Sequence, residues 1–185
     1  QGRHRYFGRV SFKCDCPTPG IWSARRSIAI KYNFLMEAIL FIGIPASGKS
    51  TFYKERFFTT HVRINLDMLK TRKREALILQ ACLAAKQPFA VDNTNVLKTE
   101  RAPYIEQARV AGFRVVGYYF QSRLQDALDR NRQRTGKAYI PEKGLIAKYG
   151  QMQVPNLDEG FEQLFYVLID PESGEFLVKE WNNEI

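Results

Sequence analysis

Cysteine, histidine and long apolar stretches are scarce in this 185-residue chain, and each scarcity excludes a class of protein. Three cysteines are too few to predict a disulfide-stapled scaffold. The two histidines, His4 and His61, lack the spacing of metal ligands, and no Ser-His-Asp or paired-cysteine nucleophile is apparent. No run reaches the roughly eighteen apolar residues that a membrane helix needs, so no membrane partner is predicted.

The cysteines that are present do not indicate a metal centre. Cys14-Asp15-Cys16 has no second ligand pair after it, which argues against zinc. Cys82 lies in an apolar helical run, where a buried free thiol is expected. This low cysteine usage predicts a reducing, cytoplasmic location.

Acidic residues are scarce in the first three quarters of the chain. Residues 1–35 carry a net charge of +6, residues 36–141 carry +9, and residues 142–185 carry −6. A basic region of this size suits a polyanionic partner, either nucleic acid or a phosphorylated metabolite. A small anionic ligand alone would account for part of the charge.

The first 35 residues are irregular and differ from the rest. The chain begins with Gln1, and residues 1–35 mix arginine, glycine, proline and aromatics without helical or strand periodicity. Met36 immediately precedes the first clear strand, so we expect residues 1–35 to be a basic leader, non-native in origin, and residues 36–185 to be the working domain. A native nucleic-acid-binding arm and a targeting peptide are the alternatives.

The most informative motif is the segment Gly43-Ile-Pro-Ala-Ser-Gly-Lys-Ser50, which fits the phosphate-loop pattern G-x-x-x-x-G-K-[ST]. Its glycines let successive backbone N–H groups approach phosphate oxygens. The lysine can reach the terminal phosphates, and the serine hydroxyl can bind Mg²⁺. The sequence therefore predicts that ATP and Mg²⁺ bind here. The predicted cofactor-binding residues within the motif are Gly43, Ala46, Ser47, Gly48, Lys49, Ser50 and the adjoining Thr51.

Short apolar runs alternate with helical segments from Met36 onward, which predicts an α/β fold with a mostly parallel sheet and helices on both faces. A hairpin at the sheet edge is predicted near the C-terminus. The expected strands are 38–42, 62–65, 88–91, 113–120, 164–169 and 175–179. The expected helices are 49–58, 67–85, 98–111, 122–134 (capped by Ser122) and 141–149.

Polar residues follow the second and third strands, where ligands sit in parallel sheets. Asp67 is a candidate general base, although it is also a natural helix cap. Lys70, three residues on, would share its helix face and hold an acceptor phosphate. Asp92 is a candidate Mg²⁺-linked carboxylate, and the turn that it opens, including Thr94 and Asn95, is a candidate substrate contact.

A cluster of cations follows the fourth strand. Residues 130–137 contain four of them beside Gly136, as a lid closing over ATP would. Arg134, nearest the glycine, is the first candidate for contacting the transferring phosphate, and Arg130 is the second. A solvated helix end is the alternative interpretation.

Five ordered motifs resemble the kinase domain of polynucleotide 5′-hydroxyl kinases and of related bacterial predicted ATP-binding kinases. They span about residues 36–167 and are the phosphate loop, Arg63-Ile-Asn-x-Asp67-x-Leu69, Val91-Asp-Asn-Thr-Asn95, Asn131-x-x-Arg-x-Gly-Lys137 and Pro155-x-Leu-x-Glu-Gly-Phe161. The resemblance implies a P-loop NTPase fold, ATP·Mg²⁺ on Lys49 and Ser50, Asp67 as base, and Arg134 on the ATP phosphates. Lys70 departs from the family's arginine at the acceptor-phosphate position. The phosphatase motif D-x-D-x-T is absent from the chain.

The sequence thus predicts an ATP-dependent kinase in which Asp67, Lys49 and Arg134 are catalytic, with the 5′-hydroxyl of a polynucleotide as acceptor. Two alternatives stay open at this stage. One is a kinase for a small hydroxylated substrate such as a sugar, nucleoside or antibiotic, and the other is an ATP-binding regulator or NTPase without an acceptor. DNA or RNA preference, oligomeric state and pathway do not follow from the sequence.

Overall fold

A computed structural model describes residues 36–181 of the chain. The predictions made for residues 1–35, including those for His4, Cys14 and Cys16, lie outside this range. The described residues form a six-stranded sheet in the order β2-β3-β1-β4-β5-β6. The first five strands in this order run parallel, and β6 is antiparallel to β5. No described helix is long and apolar enough to cross a bilayer.

The elements alternate as the sequence predicts, with bounds close to those expected. The strands are β1 (Glu37–Ile42), β2 (Val62–Ile64), β3 (Phe89–Val91), β4 (Arg114–Phe120), β5 (Gln163–Ile169) and β6 (Phe176–Glu180). The helices are α1 (Lys49–Arg56), α2 (Leu66–Leu69), α3 (Arg72–Ala85), α4 (Lys98–Val110), α5 (Leu124–Arg132) and α6 (Glu142–Gly150). Short 3₁₀ turns cover Gly136–Ala138 and Leu157–Glu159.

The central strand β1 is apolar on both sides because helices cover both faces of the sheet. Its residues Ala38, Leu40 and Ile42 belong to the core cluster that includes residues of α3 and α4. Ile39 and Phe41 point to the opposite cluster, which includes Phe52 and Tyr53 of α1. The predicted α/β architecture is confirmed.

A smaller apolar cluster fastens the C-terminal helices to the phosphate loop. Ile44 and Ala46 of the loop pack with Ala127 of α5 and Leu145 of α6, and all four are buried. The loop therefore rests on β1 and on two helices from a distant part of the chain.

Two local predictions are wrong. The expected helix 67–85 is two helices, because Lys70 adopts a left-handed conformation (φ 71°) and the Thr71 side chain starts α3 by accepting from the Arg74 N–H. Ser122 does not cap α5, which begins at Leu124 after Arg123. The Ser122 hydroxyl instead donates to the Phe120 carbonyl and accepts from the Ile44 N–H.

The predicted edge hairpin is confirmed. Strands β5 and β6 pair from Ile169–Phe176 to Phe165–Glu180, and β6 is the last strand of the sheet. The Asp170 side chain organises the turn by accepting from Ser173. Phe176 then reaches back to Phe52 of α1, with ring centroids 5.1 Å apart.

Candidate active site

The phosphate loop lies between β1 and α1, as the motif predicts. Gly48 is the N-cap residue of α1 and has a left-handed backbone (φ 97°). A Cβ at this position would lie 3.0 Å from Phe176 and 3.2 Å from Ile169, so the position requires glycine. Gly43 is buried, and its N–H donates to the Thr94 carbonyl, which ties the loop to the segment after β3.

Lys49 is buried inside the curl of the loop. Its Nζ donates to the carbonyls of Gly43 and Ile44 at 2.9 and 2.7 Å and to Ser47 Oγ at 3.2 Å. Burial lowers the pKa of Lys49 to about 8, against the charge of Asp92, which raises it, while Arg134 lowers it further. An anionic ligand in the loop would favour the charged ammonium.

Ser50 and Asp92 lie in direct contact. The Ser50 hydroxyl donates to Asp92 Oδ2 over 2.8 Å, although the residues are 42 positions apart. Arg63 of β2 donates to the same carboxylate oxygen through Nε (2.8 Å) and Nη2, and Nη2 also donates to Ser50 Oγ at 3.0 Å. Arg63 was part of a quoted motif but was not predicted as a site residue.

The Ser50–Asp92 pair fits the predicted magnesium. Hydroxyl and carboxylate oxygens are the hard ligands that Mg²⁺ prefers, and Mg²⁺ commonly takes few protein ligands and completes its shell with phosphates and water. No group of three or more acidic, histidine or cysteine side chains among the described residues could form a separate metal site. Ser50 and Asp92 are therefore the described residues that would hold the ion.

Asp67 has no capping role. The N-cap of α2 is Asn65, whose Oδ1 accepts from the Met68 N–H at 2.9 Å. Asn65 is buried, and its Nδ2 donates to the Asp92 carbonyl. The exposed Asp67 carboxylate is thereby left to face the cleft that the phosphate loop also lines. This removes the alternative explanation for an aspartate after β2.

Three predicted substrate contacts differ in position. Thr94 lines the cleft. Asn95 does not; it is buried, and its Nδ2 donates to the Phe41 carbonyl, so its side chain holds β1 in place. Lys70 is exposed and outside the cleft lining, and the argument that it shares a helix face with Asp67 is wrong because α2 ends there.

Arg130 and Arg134 both approach the loop. The Nε of Arg130 donates to the Ala46 carbonyl at 2.8 Å, so Arg130 fixes the loop to α5. Arg134 follows α5, is half-buried and lines the cleft. Asn131, near the end of α5, is fully buried. Its Nδ2 donates to the Ile140 carbonyl at 2.7 Å and its Oδ1 accepts from the Ile140 N–H at 3.1 Å, so the Arg134 segment is held in a fixed bend.

A polar network beside the cleft was missed at the sequence level. The buried Glu75 carboxylate accepts from Arg72 (2.6 Å), Asn93 (2.7 Å) and Tyr104 (2.9 Å). Arg72 and Asn93 line the cleft. These partners come from α3, α4 and the end of β3, so only the folded chain brings them together.

Most of the predicted site residues line one cavity of about 400 Å³. Its lining joins the phosphate loop, the ends of β2 and β3, and the segment after α5. The lining residues used in the argument are Ala46, Ser47, Gly48, Lys49, Ser50, Thr51, Asp67, Arg72, Asp92, Thr94 and Arg134. The predicted loop, base, metal and lid residues therefore share a site, with Gly43, Arg130, Lys70 and Asn95 outside its lining.

This chain is similar to known proteins in sequence and in fold. A family model described as an AAA domain matches residues 70–153. The bifunctional polynucleotide phosphatase/kinase of Schizosaccharomyces pombe is 26% identical over 151 residues, covering 77% of this chain. The chain spans 37% of the length of that relative.

Solved structures share the fold. Chaetomium thermophilum Kti12 in complex with ADP-AlF3 superposes with a TM-score of 0.57 at 16% identity, covering 74% of this chain and 91% of that one. A gluconokinase from Sinorhizobium meliloti 1021 gives 0.53 at 17% identity, covering 72% and 83%. A chain of the Pnkp1/Rnl/Hen1 RNA repair complex gives 0.53 at 19% identity, covering 62% and 43%.

The chain is an α/β domain with a phosphate loop between β1 and α1, and it shares the fold of these solved structures. More particularly, the resemblance to polynucleotide kinases that the five motifs predict is confirmed by the Schizosaccharomyces pombe relative.

Proposed function

We propose that this chain is an ATP-dependent kinase that transfers the γ-phosphoryl group to the 5′-hydroxyl of a polynucleotide. The observation that carries the proposal is the shared cavity, in which the phosphate loop and the Ser50–Asp92 pair lie with the uncommitted Asp67 carboxylate. Phosphoryl transfer needs a phosphate cradle, charge neutralisation and a group that accepts the proton of the attacking hydroxyl.

The loop supplies the first requirement. Its backbone amides and the Lys49 ammonium bind the ATP phosphates. The Lys49 ammonium, which in this structure donates to loop carbonyls, would donate to phosphate oxygens instead. Arg134 adds a second cation to the lining of the cleft, where it offsets charge that builds up on the transferring group. When Mg²⁺ is bound at Ser50 and Asp92, it neutralises phosphate charge.

Asp67 supplies the base. Its carboxylate is exposed, lies at the start of α2, and makes no capping hydrogen bond because Asn65 serves that role. In the proposed mechanism it accepts the proton of the acceptor hydroxyl as that oxygen attacks the γ-phosphorus in line with the leaving ADP oxygen. ADP and the phosphorylated acceptor are the products.

The surface next to Asp67 favours a polyanionic acceptor. Between α2 and the first turn of α3 lie four exposed cations, which we call the basic corner; they are Lys70, Arg72, Lys73 and Arg74. A small neutral alcohol has no use for four cations beside the base, whereas a strand entering with its 5′ end at Asp67 places phosphates there.

Arg72 is the member of the basic corner best placed to contact the acceptor. It lines the cleft, and Glu75 and Tyr104 hold its Nη1 at 2.6 and 3.1 Å. Among the described residues its hydrogen bonds involve Nη1 alone, which leaves Nε and Nη2 for a phosphate. We propose that Arg72 compensates for Lys70, which stands where the polynucleotide kinases have arginine.

The test is transfer of labelled γ-phosphate from ATP to three kinds of acceptor: 5′-hydroxyl DNA and RNA oligonucleotides, matched 5′-phosphorylated oligonucleotides, and small alcohols including sugars and nucleosides. We expect label only on the 5′-hydroxyl oligonucleotides. Label confined to small alcohols would replace the acceptor, and ATP hydrolysis with no labelled product would indicate a regulator or NTPase.

A further inference from the structure

Arg63 places a positive charge beside two oxygens that would bind the proposed metal. They are Ser50 Oγ of the phosphate loop and Asp92 Oδ2, which follows β3. Its Nε and Nη2 donate to Asp92 Oδ2, and Nη2 also donates to Ser50 Oγ at 3.0 Å. The guanidinium packs against the Tyr53 ring, 5.5 Å from its centroid. The Asp92 side chain is 1% exposed, so Arg63 is its charge partner in a nearly dry setting.

These contacts occupy lone pairs of Ser50 Oγ and of one of the two Asp92 carboxylate oxygens, on the side where the two residues meet. Asp92 Oδ2 accepts three hydrogen bonds, from Ser50 Oγ and from two nitrogens of Arg63. Ser50 Oγ donates to Asp92 and accepts from Arg63, which uses one of its two lone pairs.

We propose that Arg63 is a positioning residue that competes with Mg²⁺ for Ser50 and Asp92. Without nucleotide, Arg63 compensates the buried Asp92 charge and keeps the carboxylate against Ser50. A cation that enters without nucleotide must displace the guanidinium from Asp92 Oδ2, and the positive guanidinium repels it. Nucleotide phosphates supply further oxygens to the ion, so metal and nucleotide bind together more readily than metal alone. This inference rests on the proposed Mg²⁺-dependent nucleotide binding.

Neither strand partner nor packing requires an arginine at this position. All three residues of β2 pair with β3 through their backbones, which any residue type can do, and Ile64 is the residue of β2 that is fully buried. Arg63 reaches across to Asp92 from the edge strand with its side chain 26% exposed. Its contacts point to the metal side of the loop, and a role there explains why a charge is present.

The experiment measures ADP affinity by calorimetry over a series of Mg²⁺ concentrations, and Mn²⁺ binding without nucleotide by electron paramagnetic resonance. Arg63→Gln removes the charge, and Arg56→Gln is the charge-matched control because Arg56 is exposed in the last turn of α1 and outside the cleft lining. We expect Arg63→Gln to lower the Mg²⁺ midpoint by about tenfold and to tighten Mn²⁺ binding, given the loss of a close like charge. The control stays within about twofold of wild type.

An unchanged or raised Mg²⁺ midpoint in folded Arg63→Gln overturns the inference while leaving the proposed function intact. ADP binding that ignores Mg²⁺ in the wild-type protein overturns the proposed metal and this inference with it. If Arg63→Gln does not fold, Arg63→Lys keeps the charge but loses the two-point contact. The Mg²⁺ midpoint of Arg63→Lys should fall between the wild-type midpoint and the value about tenfold lower that is expected for Arg63→Gln. An unshifted midpoint overturns the inference.

Discussion

Arg101 and Glu159 form a buried two-point ion pair: Nε donates to Oε2 at 2.7 Å and Nη2 to Oε1 at 2.6 Å. The Arg101 side chain is fully buried, and its Nη1 also donates to the carbonyls of Asn95, Val96 and Gln153. One side chain thus joins α4, the segment after β3, the segment after α6 and the 3₁₀ turn Leu157–Glu159.

The first prediction concerns this pair. Arg101→Met should lower the free energy of unfolding by about 3–5 kcal/mol, because it leaves the Glu159 carboxylate buried without its partner. The double variant Arg101→Met, Glu159→Leu should be less destabilised than Arg101→Met, since neither charge stays unpaired. Urea denaturation of the two single variants and the double variant measures their free energies of unfolding. A double variant destabilised by the sum of the two single-variant losses would contradict the coupling.

The second prediction concerns pH and Lys49. Its pKa, lowered by burial to about 8, means that the ammonium is lost on the alkaline side of neutrality. ADP affinity should therefore fall about tenfold between about pH 7 and about pH 9 if the charged form is the one that binds phosphate. Calorimetry across this range measures it, and in Lys49→Met, which should also lose at least about a hundredfold in turnover, the pH trend should vanish.

Stability should move in the opposite direction over a neighbouring range. The unfolded lysine keeps its proton up to a pKa of 10.5, whereas the folded one releases it near 8. The unfolded state then binds more protons between these values, so the contribution of Lys49 to folding rises with pH from about 8 to 10.5. If the free energy of unfolding falls over this pH range in the wild-type protein but not in Lys49→Met, the lowered pKa of Lys49 is contradicted.

The third prediction separates chemistry from binding at Asp67. Asp67→Ala should lower turnover at least about a hundredfold, because no base then accepts the hydroxyl proton. Its ADP affinity should stay within about twofold of wild type, since the proposed ADP site is the loop and not α2. The matched control is Asp129→Ala, an exposed aspartate of α5 outside the cleft lining. Near-normal transfer by Asp67→Ala would remove the base assignment.

The fourth prediction concerns the acceptor. Arg72→Gln should raise KM for a 5′-hydroxyl oligonucleotide while leaving KM for ATP nearly unchanged, and it should reduce the slope of log affinity against log salt by about one. Lys54→Gln is the control, because Lys54 is an exposed cation at the end of α1. An equal loss in both variants would show that Arg72 acts only through overall charge.

The sequence predicts those parts of the site that depend on local pattern. The apolar run of β1 followed by two glycines and a lysine fixes the phosphate loop, and polar residues after β2 and β3 locate Asp67 and Asp92, because parallel strands bring their carboxyl ends to one edge. The edge hairpin follows equally from two apolar runs around the turn at Asp170.

The rest depends on contacts between distant segments. Arg101 resembles any helical cation until the fold places Glu159 beside it, 58 positions away. Arg63 likewise becomes a site residue only when β2 and β3 pair and bring Asp92 within reach. The break at Lys70 was missed because a non-glycine residue in the left-handed region has no strong local signal.

The Gly48 position couples the C-terminal hairpin to the shape of the phosphate loop. A Cβ at Gly48 would lie 3.0 Å from the Phe176 ring and 3.2 Å from the Ile169 side chain, so the hairpin packs directly behind the loop. Under the proposed function, a substitution of either side chain would therefore alter nucleotide affinity through the loop backbone, although neither residue lines the cleft.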